Sequence, residues 1–167
     1  MTNPGLDVSV VINAPAGRVL NAFFDAGALT AWWGVRHAVT SARTLGPYAL
    51  EWSPTDSRDE VLGRLGGVFR GTVMQFDPDS GFFVADAFWL PPDGDPIGPM
   101  ALEVVVTQNG TGGTRLRVTQ SGFEESARWR RYYEVVGLGW DRALASLKNL
   151  LEKDPAPGQD PRGISKR

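Results

Sequence analysis

The 167-residue chain contains no cysteine and one histidine, His37. Without cysteine there is no disulfide framework, no thiol nucleophile and no thiolate metal site. One histidine without a partner at a recognisable spacing gives no metal cluster and no catalytic triad, so no cofactor is expected. Charge of one sign is also missing. Seventeen basic residues stand against 19 acidic ones, a net charge of −2 with no long block of either sign. Nucleic acid normally demands a concentrated basic face and is not an expected partner. No apolar run approaches the roughly 18 residues of a membrane-spanning helix, so no membrane partner is expected either. The start, MTNPGLDVSV, has neither a basic flank nor a long apolar stretch. No secretory signal is therefore read, and a cytoplasmic location is expected.

The chain does contain clear periodicities. Residues 7–12, DVSVVI, alternate as a strand, and Pro15 opens a helix through RVLNAFFDA that is expected to end near Gly27. A shorter helical turn over 28–32 leads into the adjacent tryptophans of LTAWWG and stops at Gly34. From there to Phe123, strands are predicted near 36–44, 47–53, 67–77, 81–90, 100–108 and 114–122, with turns at DPDSG and NGTGG. Two connections are longer: 54–65 is polar and expected to be mobile, and 91–99 holds four prolines that should keep it out of a ladder. Over 126–153, Tyr133, Val136, Trp140, Leu144, Leu147 and Leu151 form one apolar helical stripe. Gly137 and Gly139 interrupt it, which suggests a bend or a close backbone approach. The expected organisation is a flexible start over 1–6, one domain over 7–153 and a disordered tail over 154–167. The element order predicts an α+β fold in which a curved antiparallel sheet wraps around the long C-terminal helix. Two short helices after the first strand close one end, leaving a cavity between helix and sheet.

That order, with VINAPAGRVLNAFFDAGALTAWWG at 11–34, GTVMQFDPDSGFFV at 71–84, GGTRLRVTQSGF at 112–123 and GWDRALASLKNLLE at 139–152, resembles the START-like helix-grip (SRPBCC) superfamily. Within it the chain is most similar to the family named after the activator of the heat-shock chaperone ATPase. The resemblance implies that the tryptophan pair caps one end of the grip, with Trp33 packed near the mouth and Trp32 nearer the surface. It also places Phe82, Val84, Asp86 and Phe88 at inward positions, although the opposite parity, Phe83, Ala85, Ala87 and Trp89, is equally apolar.

Strand alternation supplies the remaining walls: Leu102 and Val104, then Leu116, Val118 and Gln120, with Trp52 on the strand before and Tyr133, Val136 and Trp140 from the helix. Asp86 and Gln120 are the candidate polar anchors. An Asp86 facing an apolar cavity must be paired, hydrogen-bonded or protonated, whereas a one-residue bulge would turn it to solvent. The expected function is binding of a small lipophilic molecule. The alternatives are a cyclase- or dehydratase-like enzyme with Asp86 as acid/base, and an interaction protein that stimulates a chaperone ATPase. A homodimer is compatible with the sequence.

Overall fold

The computed structural model describes residues 5–110 and 112–153. Strand β1 (Gly5–Ile12) is followed by two short helices, α1 (Ala16–Asn21) and α2 (Ala26–Trp33). Then come β2 (His37–Thr40), β3 (Pro47–Trp52), a small hairpin of β4 (Arg58–Asp59) and β5 (Gly63–Arg64), and the long strands β6 (Gly67–Asp77), β7 (Gly81–Leu90), β8 (Ile97–Gln108) and β9 (Thr114–Ser121). Helix α3 (Ala127–Lys153) closes the order. Seven strands form one antiparallel sheet in the order β1-β9-β8-β7-β6-β3-β2, and α3 packs against β1 and α2. This is the helix grip that the element order predicts.

Local chemistry accounts for the helix boundaries. The side chain of Asp25 accepts a hydrogen bond from the Ala28 backbone N–H at 2.8 Å, which starts α2 at Ala26. The residues around Asp25 therefore cap the second helix instead of extending the first to Gly27. Gly34 adopts left-handed φ of 70° and returns its N–H to α2, the conformation for which glycine is suited. Ser126 caps α3, its hydroxyl accepting from the Trp129 N–H at 3.2 Å.

Four predicted segments need correction. The strand expected over 36–44 ends at Thr40, and the flexible start is shorter than expected because Gly5 and Leu6 already pair with β9. The rest of that start, residues 1–4, and the tail expected over 154–167 lie outside the described residues. The polar stretch 54–65 is not a bare loop, since it contains the β4–β5 hairpin. The proline-rich stretch 91–99 gives its last three residues to β8, where Ile97 pairs with Trp89 and Gly98-Pro99 is accommodated at a register shift. A proline is tolerated at such an irregularity because no ladder donor is needed there.

The fifth correction bears on the site. Between Val84 and Phe88 strand β7 carries one residue more than either neighbour: Val84 and Ala87 pair with Leu102 and Met100, while Ala85 and Phe88 pair with Thr72 and Arg70. The surplus residue is Asp86, at left-handed φ of 54°, a conformation that aspartate tolerates better than most side chains. Before the bulge Phe82 and Val84 point inward; after it Ala87 and Trp89 do. Asp86 is exposed, and Phe88 lies half-buried under the Arg70 guanidinium, 6.0 Å from its ring centroid. Unbroken alternation had put both indoors.

Candidate functional site

The tryptophans at the end of α2 divide the work, because neighbouring helical residues point about 100° apart. Trp32 is buried and donates its indole N–H to the Ala22 carbonyl at 2.8 Å. It is the core cap, and the expectation that it lies nearer the surface is corrected. Trp33 is half-buried, stacks on Trp32 at 4.8 Å, and meets Trp52 at 5.2 Å and Trp140 at 4.6 Å. The Trp52 indole donates to the Trp33 carbonyl at 2.9 Å, tying β3 to the end of α2.

These rings border a cavity of about 350 Å³ between the sheet and the N-terminal half of α3. Of the wall residues read from the sequence, Trp33, Trp52, Gln120, Val136 and Trp140 line it. Phe82, Val84, Leu102, Val104, Leu116 and Val118 are buried, yet they fill the core and do not border the cavity. Tyr133 is half-buried and donates its hydroxyl to the Gly122 carbonyl at 2.6 Å, so the helix presents Tyr132 to the cavity in its place. Burial pushes the Tyr133 phenol up to about 12. Further lining comes from Phe69, Trp89, Val135, Gly139, and Leu62 and Leu65 beside the small hairpin. The bulge at Asp86 hid Trp89 from a reading by alternation, and the hairpin residues carried no periodic signal.

Apart from Ser53 and Thr55, the polar side chains of the lining form one chain. The Trp140 indole donates to Gln120 Oε1 at 3.0 Å, and Gln120 Nε2 donates to the Tyr132 hydroxyl at 2.7 Å and to Met100 Sδ at 3.3 Å. Gln120 is 2% exposed, so this pairing is what makes its burial tolerable. Among the described residues no Asp, Glu, Lys, Arg or His lines the cavity. Burial raises the Tyr132 phenol far above its ordinary range, outweighing the lowering effect of the Gln120 hydrogen bond, so its proton stays on.

Ionised groups hold the rim instead. Asp59, in the hairpin, accepts from Arg131 of α3 at 2.8 Å and from the backbone N–H groups of Leu62 and Val61. The Arg131 guanidinium, aided by those backbone groups, holds its carboxyl down at about 2. Asp93 accepts from both Arg58 and Arg64, tying the hairpin to the β7–β8 connection. The Arg128 guanidinium reaches the Asp95 carbonyl at 2.8 Å. The cluster RWRR at 128–131 thus fastens loops to α3 around one buried ring, Trp129.

His37 lies outside, paired with Glu51 at 2.8 Å, and that hydrogen bond holds the Glu51 carboxyl below its ordinary range. With Asp86 on the surface, acid/base chemistry by that residue has no carboxylate in the cavity. Among the described residues no group of three or more His, Cys, Asp and Glu side chains could hold a metal ion. No helix among them is long and apolar enough to cross a membrane.

The family model described as Activator of Hsp90 ATPase homolog 1-like protein matches residues 13–152. No curated protein matches the chain. Among solved structures, protein MLL2253 from Mesorhizobium loti is similar with a TM-score of 0.68 at 21% identity, over 92% of this chain and 100% of that one. Protein CV1439 from Chromobacterium violaceum gives 0.65 at 23% identity, over 90% and 98%. The Aha1 dimer from Colwellia psychrerythraea gives 0.62 at 16% identity, over 89% and 96%. At these identities the likeness is one of fold.

Proposed function

The chain belongs to the activator of Hsp90 ATPase homolog 1-like family, and on that premise we propose that residues 5–153 act as one domain that binds a small, mainly apolar molecule between the sheet and α3. The observation that carries this reading is the contrast of contents: four of the six tryptophans border a hollow that no charged side chain lines among the described residues. Protein interiors are otherwise close-packed, and pockets for small molecules are apolar with a few placed polar groups. Stimulation of a chaperone ATPase, the activity in the family's name, finds less support. The exposed large apolar side chains among the described residues, Val39, Leu45, Val61, Met74 and Leu138, are spread over the sheet, its turns and α3.

Gly139 provides the test. It lines the cavity, and a Cβ added there would meet no atom within 4 Å. Gly139 is itself exposed, so Gly139→Leu sets a side chain in the open space at the mouth of the hollow, and it raises helix propensity by up to about 1 kcal/mol. A neutral aromatic compound at 100 times its Kd should stabilise the wild-type protein by about 2.7 kcal/mol, a rise in Tm of roughly 5–10 °C. In Gly139→Leu the empty protein should melt no lower than wild type, and the ligand-induced rise should vanish. Equal rises in both proteins, or none in wild type across a broad panel, would refute the reading.

A further inference from the structure

The hydrogen bonds inside the cavity have a fixed direction, and following it identifies an unused proton. The Trp140 indole N–H can only donate, so the Gln120 atom 3.0 Å from it must be the carbonyl oxygen. That places the amide NH₂ of Gln120 toward the Tyr132 hydroxyl, which must accept. A hydroxyl that accepts from an amide keeps its own proton for another partner, and no described residue accepts it. Tyr132 is 6% exposed and lines the cavity. A buried donor without an acceptor costs about 1–3 kcal/mol, which a ligand oxygen at that point would recover. Gln120, by contrast, has both amide hydrogens engaged and its oxygen held by the Trp140 indole, so it is a positioning residue and not the donor that a ligand would meet.

The walls constrain the rest of the ligand. Trp89 and Tyr132 have ring centroids 5.5 Å apart, and Trp33, Trp52 and Trp140 cluster at 4.6–5.2 Å, offering ring faces and edges on two sides. Among the described residues no cationic side chain lines the cavity to neutralise a carboxylate, and desolvating an unpaired charge there is costly. Resting on the proposed binding function, we infer that the ligand is a flat, uncharged aromatic molecule whose carbonyl oxygen accepts the hydroxyl proton of Tyr132.

Fluorenone and fluorene share a three-ring frame and differ by that carbonyl, and equilibrium dialysis gives the Kd of each for wild type and Tyr132→Phe. Wild type should bind fluorenone about tenfold more tightly than fluorene. In Tyr132→Phe the preference should disappear through weaker fluorenone binding, while an unchanged Kd for fluorene shows that the cavity is intact. Equal affinities in wild type, or a preference that survives Tyr132→Phe, would overturn the donor assignment and leave the binding function standing. Failure of wild type to bind either probe would count against both.

Discussion

Three strands of this fold run between two regions of different character. Along β7 the chain passes from Phe82 to Trp89, along β3 from Tyr48 to Trp52, and along β9 from Leu116 to Gln120. At the first end the rings close on one another: Phe82 lies 5.6 Å from Phe23, 4.8 Å from Phe24 and 5.6 Å from Tyr48, and the Tyr48 hydroxyl donates to the Phe23 carbonyl at 2.9 Å. At the second end equally large rings stand around space. Aromatic surface at the first end contributes to stability; at the second it is left to meet something else. The first end is covered by Phe23 and Phe24, between α1 and α2, whose rings complete the packing. The second is bounded by a hairpin held by ion pairs, an attachment of specific geometry that need not fill the volume beneath it.

The largest expected effect contrasts these ends directly. Phe82→Ala should cost about 3–5 kcal/mol in chemical denaturation, since it opens a void among the rings of Phe23, Phe24 and Tyr48. Trp52→Ala removes a larger side chain, yet it should cost no more than about half of that, because part of its ring borders empty space. Equal costs would mean that the two ends are packed alike.

A smaller effect concerns the ion pair at the rim. The Asp59 carboxyl is held at about 2, below its ordinary value of 3.8. Its contribution to stability is therefore complete above pH 4 and is lost as the pH falls toward 2. Arg131 is well exposed, and screening limits the gain. Asp59→Asn should lower Tm by roughly 2–5 °C at pH 7, and the difference from wild type should close between about pH 4 and pH 2. A constant difference down to pH 2 would remove the ion pair from the account of the rim.

The smallest effect is expected at Asp86. Its left-handed backbone suits glycine, so Asp86→Gly should change stability by no more than about 0.5–1 kcal/mol, in the stabilising direction, and leave ligand affinity unaltered. Weakened ligand binding in Asp86→Gly would return that carboxylate to the site.

The sequence made the long elements legible because each announces itself locally. The turn residues between them mark the bounds of β6 and β7 to the residue, and the three-and-four spacing marks α3 within one residue of its start. The inward position of Gln120 followed from the same alternation. The site was half legible. Trp33, Trp52, Val136 and Trp140 are anchored in regular elements and could be assigned a face, whereas Trp89 changes face through the Asp86 bulge, in a stretch whose two parities are equally apolar. Tyr132 and Tyr133 are adjacent on a helix, where a turn of about 100° decides which enters the cavity and periodicity alone does not separate them. The hairpin escaped notice because its order depends on partners distant in sequence, Arg131 lying 72 positions from Asp59.

The claim that the hollow end exists to hold a molecule is tested most directly by native mass spectrometry of wild type and Gly139→Leu, titrated side by side with neutral aromatic compounds. The account predicts a one-to-one adduct with wild type and none with Gly139→Leu. Adducts of equal abundance on both proteins, or on neither across the panel, would contradict it.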